Sequence, residues 1–323
     1  MAAEAFRMLQ PLRALLTWDC PDDLLAPLRT MDVHVTRVGR QQSQDEMCAA
    51  IADKHALLCH PFAPVPRAVI DAARELRVVS IVAVGYDNID LAALRERGIP
   101  LGHTPGVVVE STADIAYALI LGIMRRVFAG DRYVRAGSWP QAMDALGTDL
   151  AGKTLGIVGL GAIGLAVARR ARASGMRIVY SNRRPRSDAP EATFATIDTL
   201  LREADCVCAM VPFSAETAKL FDARMFAKMK RGAYFVNAAR GGIVDTQALH
   251  DALASGQLTA AAVDVLDPEP IGADHPLLAL PNFFITPHIG TATYETRGAM
   301  AALCVANAVA GLRGEPLVAP VPA

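Results

Sequence analysis

The chain has 323 residues, 52% of them hydrophobic, with 32 basic against 33 acidic side chains and a formal net charge of −1. That length suits two domains with buried α/β cores. The balanced charge argues against nucleic acid or an anionic membrane as partner, and no run of 18 continuously apolar residues is present to cross a bilayer.

In chain order, the opening Met-Ala-Ala-Glu-Ala-Phe-Arg has no apolar core of the signal-peptide kind. The six cysteines, at 20, 48, 59, 206, 208 and 304, show no CxxC spacing. A cytoplasmic protein without a bound metal is expected. Strand-like runs at 13–18, 33–38, 56–59 and 78–84 alternate with helical stretches around 22–29, 44–53 and 66–77. Such alternation predicts a parallel sheet with helices on both faces. Ser111 or Thr112 is placed to cap a helix that runs to Met124 and is apolar nearly all round, hence buried. The polar segment 131–153, which carries Trp139, shows neither period and reads as an arm or connecting loop.

A second series of strand-like runs follows at 154–158, 177–181, 206–211, 234–237, 260–265 and 283–286. Cys206 and Cys208, two apart in one run, share a face and read as buried apolar fillers. A helical run over 294–312 ends at Gly314. Two doubly wound units in sequence are the natural reading.

The most specific signal opens the second series. The apolar run 154–158 enters Gly159-Leu-Gly-Ala-Ile-Gly164, and an Ala-rich helical stretch follows. A strand, a Gly-x-Gly-x-x-Gly turn and a helix form the dinucleotide-binding fingerprint. Gly159 permits the tight turn, Gly161 lets backbone approach a pyrophosphate, and Gly164 lets helix and strand pack closely. An acid about 20 residues further on marks NAD sites by accepting from the ribose hydroxyls. Here Ser181 stands 22 positions after Gly159, Asn182, Arg183 and Arg184 follow, and no acid occurs before Asp188. A hydroxyl and guanidinium groups suit a 2′-phosphate, which a carboxylate would repel. The pattern favours NADP(H), with NAD(H) possible.

Three polar residues each follow a strand-like run of the second series: Arg240, Glu269 and His288. Ligands of open α/β sheets bind beyond the carboxyl ends of the strands. Reduction of a 2-oxo acid by a cofactor hydride needs a proton donor, a group that orients it and a cation for the substrate carboxylate. Imidazole, carboxylate and guanidinium supply those roles.

The chain resembles the D-isomer-specific 2-hydroxyacid dehydrogenases from about Arg13 to Pro316. The resemblance rests on Val84-Gly-Tyr-Asp-Asn-Ile-Asp90, Thr104-Pro-Gly-Val107, the glycine turn, Asn237-Ala-Ala-Arg-Gly-Gly-Ile-Val-Asp245, Asp264-Val-Leu-Asp-Pro-Glu-Pro270 and Pro287-His-Ile-Gly290. It implies a Rossmann cofactor domain, residues 104–293, inserted into a flavodoxin-like substrate domain formed by 1–103 and 294–323. It makes His288 the acid in reduction, Glu269 its partner and Arg240 the substrate anchor. It implies that N–H groups around Val84 and Gly85 bind the substrate carboxylate. Asp264 would meet the nicotinamide carboxamide, with Val211, Pro212 and Thr217 along the cofactor. Thr112, Ala162, Ile163, Ala238, His288 and Gly290 complete that cofactor-binding set. Met210 stands where many members carry histidine, and formate dehydrogenases carry Gln where Glu269 stands. The likeness is greatest to the glyoxylate/hydroxypyruvate reductase branch, which overlaps the 2-ketogluconate reductases and tends to use NADPH. It implies a homodimer in which Trp139 reaches the neighbour's active site. Aryl-pyruvate reduction and a nucleotide-sensing, corepressor-like role are the alternative expectations.

Overall fold

The structure is a computed structural model that describes residues 11–39 and 42–322. The opening segment discussed above as a non-signal sequence lies outside the described residues. The chain divides into two compact units, one holding the residues up to Val108 together with those from Thr293 onward, the other Val109–Ala292. No helix among the described residues is long and apolar enough to cross a membrane.

In the first unit, β1 (Arg13–Leu16), β2 (His34–Arg37), β3 (Ala56–Cys59), β4 (Val78–Ile81) and β5 (Leu101–Gly102) pair in parallel in the order β2-β1-β3-β4-β5. That is the flavodoxin-like order. Strands β3 and β4 are buried at every position, as strands covered on both faces must be. Helix Tyr294–Arg313 lies on this sheet, and a Cβ on Gly311 would come within 2.5 Å of the Val78 side chain, so only glycine allows that approach. The helix ends at Gly314 with φ 72°, the left-handed cap that glycine takes without penalty. The helices over 22–29 and 66–77 prove shorter than expected, at Ala26–Thr30 and Arg67–Ala72, because tight turns occupy the flanking residues. Helix Gln44–Ile51 begins with a capping box between Ser43 and Glu46.

At the amino ends of β1 and β3, buried His55 accepts the Arg13 N–H at Nδ1 (3.0 Å) while Nε2 lies 2.9 Å from Glu75. Burial, reinforced by Arg77, holds its pKa below the usual imidazole value, although Glu75 pulls the other way. The unfolded chain therefore takes up a proton near pH 6.5 that the folded chain refuses, so stability falls as pH drops through that range. The expected slope is at most about 1.4 kcal/mol per pH unit for this one proton. Thermal melts from pH 7.5 to 5 should lose less stability in His55→Asn than in the parent, and parallel curves would remove His55 as the source.

The second unit contains β6 (Thr154–Val158), β7 (Arg177–Ser181), β8 (Thr193–Phe194), β9 (Cys206–Ala209), β10 (Ala233–Asn237), β11 (Leu258–Val263) and β12 (Phe283–Ile285). All pair in parallel in the order β12-β11-β10-β9-β6-β7-β8. Strand order reverses between β6 and β9, the crevice where doubly wound sheets bind nucleotides. Cys206 and Cys208 lie in one core cluster, and burial pushes the Cys208 thiol up to about 12.

Two sequence readings are corrected here. The buried helix starts at Val109, so Ser111 and Thr112 sit inside its first turns rather than capping it. The segment read as an arm or loop contains helices, Val127–Arg135 and Trp139–Asp144. Arg126 at φ 57° and Gly137 at φ 72° turn the chain around them. No residue of Val127–Arg135 is fully buried, although Phe128 and Ala129 pack against the core of the second unit. Phe128 and Arg132 anchor this helix on Phe284 of β12, at 5.2 Å between rings and 4.7 Å from guanidinium to ring.

Candidate active site

The glycine turn lies at the carboxyl end of β6, beside the reversal of strand order. Gly159 has φ 100°, and a Cβ there would meet the Met210 carbonyl at 2.6 Å. A Cβ on Gly164 would meet the Gly159 oxygen at 2.5 Å, so helix Ala162–Ala173 packs on the turn only because that atom is missing. A Cβ on Gly161, by contrast, would find nothing within 4 Å. Gly161 also caps the helix without a side-chain bond, leaving the first-turn N–H groups of Ala162, Ile163 and Gly164 without intrahelical acceptors. Open space before a row of N–H donors at a helix N-terminus fits a pyrophosphate. At the end of β7, Ser181 and the following Asn182 are half-buried, and Arg183 and Arg184 are exposed.

Arg240, Glu269 and His288 follow β10, β11 and β12, which are adjacent strands of one sheet. His288 Nδ1 lies 2.9 Å from Glu269 Oε1, and both side chains keep about a quarter of their surface exposed (27% and 28%). The bond fixes the imidazole plane. His288 has φ 53°, an uncommon conformation for a residue with a Cβ. Asp264 over-determines that turn. Its backbone oxygen accepts the His288 N–H (2.9 Å), and its buried carboxylate accepts from Thr286 Oγ1 (2.6 Å), Ile289 N (2.9 Å) and Gly290 N (2.8 Å). A carboxylate offers about four acceptor positions, so three donors leave one on Oδ2.

Asn237 does the same for Arg240, a role that sequence reasoning did not assign. It is buried at the end of β10, where Nδ2 donates to the Arg240 oxygen (2.8 Å) and Oδ1 accepts from Ala239 N (3.0 Å). The available signal was a buried-type asparagine ending a strand three residues before the arginine. Gly241 then lets this loop touch the one leading to Glu269, because a Cβ there would meet the Leu266 carbonyl at 2.1 Å.

Among the other residues singled out, Thr112 and Gly290 lie together beside Asp264, with a Gly290 Cβ placed 3.3 Å from Thr112 Cγ2 and 3.2 Å from Asp264 Oδ2. Val211 and Pro212 follow β9, where Thr217 Oγ1 donates to the Pro212 oxygen (2.7 Å) and closes the loop, and Ala238 is buried after β10. Val84 and Gly85 belong to the first unit, just past β4. Trp139 stands on a helix of the second unit and is 61% exposed.

Comparison with known proteins agrees with this arrangement. Residues 117–290 match the NAD-binding-domain model of the D-isomer specific 2-hydroxyacid dehydrogenases. Glyoxylate/hydroxypyruvate reductase B of Klebsiella pneumoniae is 45% identical over 302 residues, 91% of this chain and 93% of that one. The crystal structure of the TT0316 protein of Thermus thermophilus superposes with a TM-score of 0.90 at 42% identity, covering 96% of this chain and all of the other (100%). The NADPH-dependent glyoxylate/hydroxypyruvate reductase of Sinorhizobium meliloti, solved with NADP and malonate, superposes with a TM-score of 0.86 at 30% identity over 97% of each chain. With a doubly wound nucleotide unit, a glycine cradle and a histidine–carboxylate pair past its strands, the chain belongs to the D-isomer specific 2-hydroxyacid dehydrogenase family.

Proposed function

We propose that the chain reduces small 2-oxo acids, glyoxylate and hydroxypyruvate foremost, to D-2-hydroxy acids with NADPH. The observation that carries this reading is the 2.9 Å bond between His288 and Glu269 at the ends of strands neighbouring the one that bears Arg240. The names of the Klebsiella and Sinorhizobium relatives support the substrate class. When bound, the dinucleotide supplies a hydride to the substrate carbonyl carbon. Arg240 holds the substrate carboxylate and polarises the carbonyl. His288 gives a proton from Nε2 to the oxygen as charge develops there. Glu269 keeps Nδ1 engaged, so the ring cannot turn away. Asp264, with one acceptor position left, suits an amide donor such as the nicotinamide carboxamide. The experiment is a panel of 2-oxo acids assayed with NADPH and NADH, where glyoxylate and hydroxypyruvate should give the highest kcat/KM and no turnover would overturn the reading.

Preference for NADPH is assigned to Ser181, Arg183 and Arg184. Charge-assisted bonds contribute about 1.5–3 kcal/mol each, so loss of the equivalent of one such bond to the 2′-phosphate in Arg183→Ala with Arg184→Ala should lower the NADPH/NADH ratio of kcat/KM by about 10–150-fold. An unmoved ratio would remove the arginines from phosphate recognition. The protein acts as a homodimer in this reading, supported by exposed Val127, Val134, Trp139, Met143 and Leu146 on and beside the two arm helices. Its thiols are all free, as the cytoplasm favours.

A further inference from the structure

We infer that Asn182 and Arg186 are positioning residues that clasp the glycine turn to the phosphate-reading loop, and that they act on NADPH and NADH alike. The inference rests on the dinucleotide reading of the glycine turn and deepens it. Leu160, buried between Gly159 and Gly161, is the point of attachment. Asn182 Oδ1 accepts the Leu160 N–H at 2.6 Å, and Asn182 Nδ2 donates to the Leu160 oxygen at 3.3 Å. Arg186 Nη1 donates to that same oxygen at 3.0 Å, and the neighbouring Gly159 N–H donates to the Ser181 oxygen at 3.0 Å. Four hydrogen bonds thus tie residues 159–160 to residues 181–186 across the carboxyl ends of β6 and β7.

Arg186 is itself held in place. Its guanidinium pairs with Asp188, with Nε donating to Oδ1 at 2.7 Å, and its backbone N–H donates to the hydroxyl of buried Tyr180 at 2.8 Å. The Asp188 pair keeps the guanidinium above its ordinary pKa. The loop therefore has a fixed frame, from which exposed Arg183 and Arg184 project.

Three consequences follow from the chemistry of this clasp. The amide meets one backbone donor and one backbone acceptor at once, whereas aspartate in place of Asn182 would set a carboxylate oxygen against the Leu160 carbonyl. With the Leu160 N–H already bonded, the first-turn N–H groups of Ala162, Ile163 and Gly164 are the donors left for a pyrophosphate. Asn182 and Arg186 flank the two exposed arginines yet direct their hydrogen bonds at the protein, so discrimination for the 2′-phosphate falls to Ser181, Arg183 and Arg184. Asn182 thereby moves from a direct cofactor contact, as the sequence alone implied, to a residue that shapes the cradle.

The test measures binding rather than turnover. Loss of one or two net hydrogen bonds, at about 0.5–1.5 kcal/mol each, corresponds to roughly 3–10-fold in affinity per bond. Calorimetric titration of Asn182→Ala should show NADPH and NADH weakened by the same factor. Amide exchange of the cofactor-free protein, followed by NMR, should show faster exchange at the Leu160 N–H. Arg186→Met, which keeps most of the aliphatic stem, reads the same clasp from the other side and serves if Asn182→Ala does not fold. Selective loss of NADPH in either variant would make the altered side chain a phosphate contact and overturn the proposal, as would unchanged Leu160 exchange in Asn182→Ala. Failure of the parent protein to bind either dinucleotide would instead overturn the cofactor reading on which the clasp depends.

Discussion

Replacing His288 by alanine should lower kcat/KM for glyoxylate by about 10²–10⁴-fold, the usual contribution of a positioned acid–base group. The loss should fall on kcat, because the proton is needed only as charge appears on the substrate oxygen. The fold should survive it. His288 keeps about a quarter of its side-chain surface exposed (27%), and its turn is held through Asp264 and backbone bonds that alanine preserves. Alanine still has to adopt φ 53°, a strain of about 1–3 kcal/mol that histidine also bears. Dinucleotide affinity measured by fluorescence should therefore stay close to that of the parent. Glu269→Gln should cost less than His288→Ala, since an amide can still meet Nδ1 but cannot offset the charge of a protonated ring. Stopped-flow measurement of the hydride step separates these outcomes. Full activity in His288→Ala would take the imidazole out of the mechanism.

Arg240→Ala should raise KM and lower kcat together, because one guanidinium both anchors the carboxylate and polarises the carbonyl. Removing a single preorganised donor to developing charge costs about 10²–10³-fold in kcat, and loss of the anchor adds to the effect in kcat/KM. The backbone at 240 should not move, since Asn237 binds the main-chain oxygen of that residue and not its side chain. Arg240→Lys should recover little, as an ammonium cannot offer two parallel donors to a carboxylate. Steady-state kinetics with glyoxylate decides this, and unchanged constants in Arg240→Ala would refute the role.

Much of this fold was legible before any coordinates. Continuous apolar runs bounded by turn residues gave β3 at Ala56–Cys59 and β6 at Thr154–Val158 without error, because strands buried on both faces are predominantly apolar. Helix 127–135, although amphipathic, was missed because it straddles the start of the segment 131–153, whose remainder shows no period. Strands β5 and β8 were missed because two-residue pairings carry no period at all. At the site, strand ends pointed to Arg240, Glu269 and His288. What the sequence could not show was how Asp264, Asn237 and Asn182 are used. Each of these side chains bonds to main-chain atoms, and which atoms lie within reach depends on the register between strands and turns. Asn182 and Leu160 are 22 residues apart, and only the parallel pairing of β6 with β7 makes them neighbours.

The most direct test of the account is the rate of the hydride step with NADPH and hydroxypyruvate in the parent protein and in His288→Ala, with the chirality of the product assigned. The expected result is D-glycerate from the parent and a hydride step about 10²–10⁴-fold slower in the variant. An identical rate in both proteins, or L-glycerate from the parent, would contradict the assignment of His288 as the proton donor in a D-specific reductase.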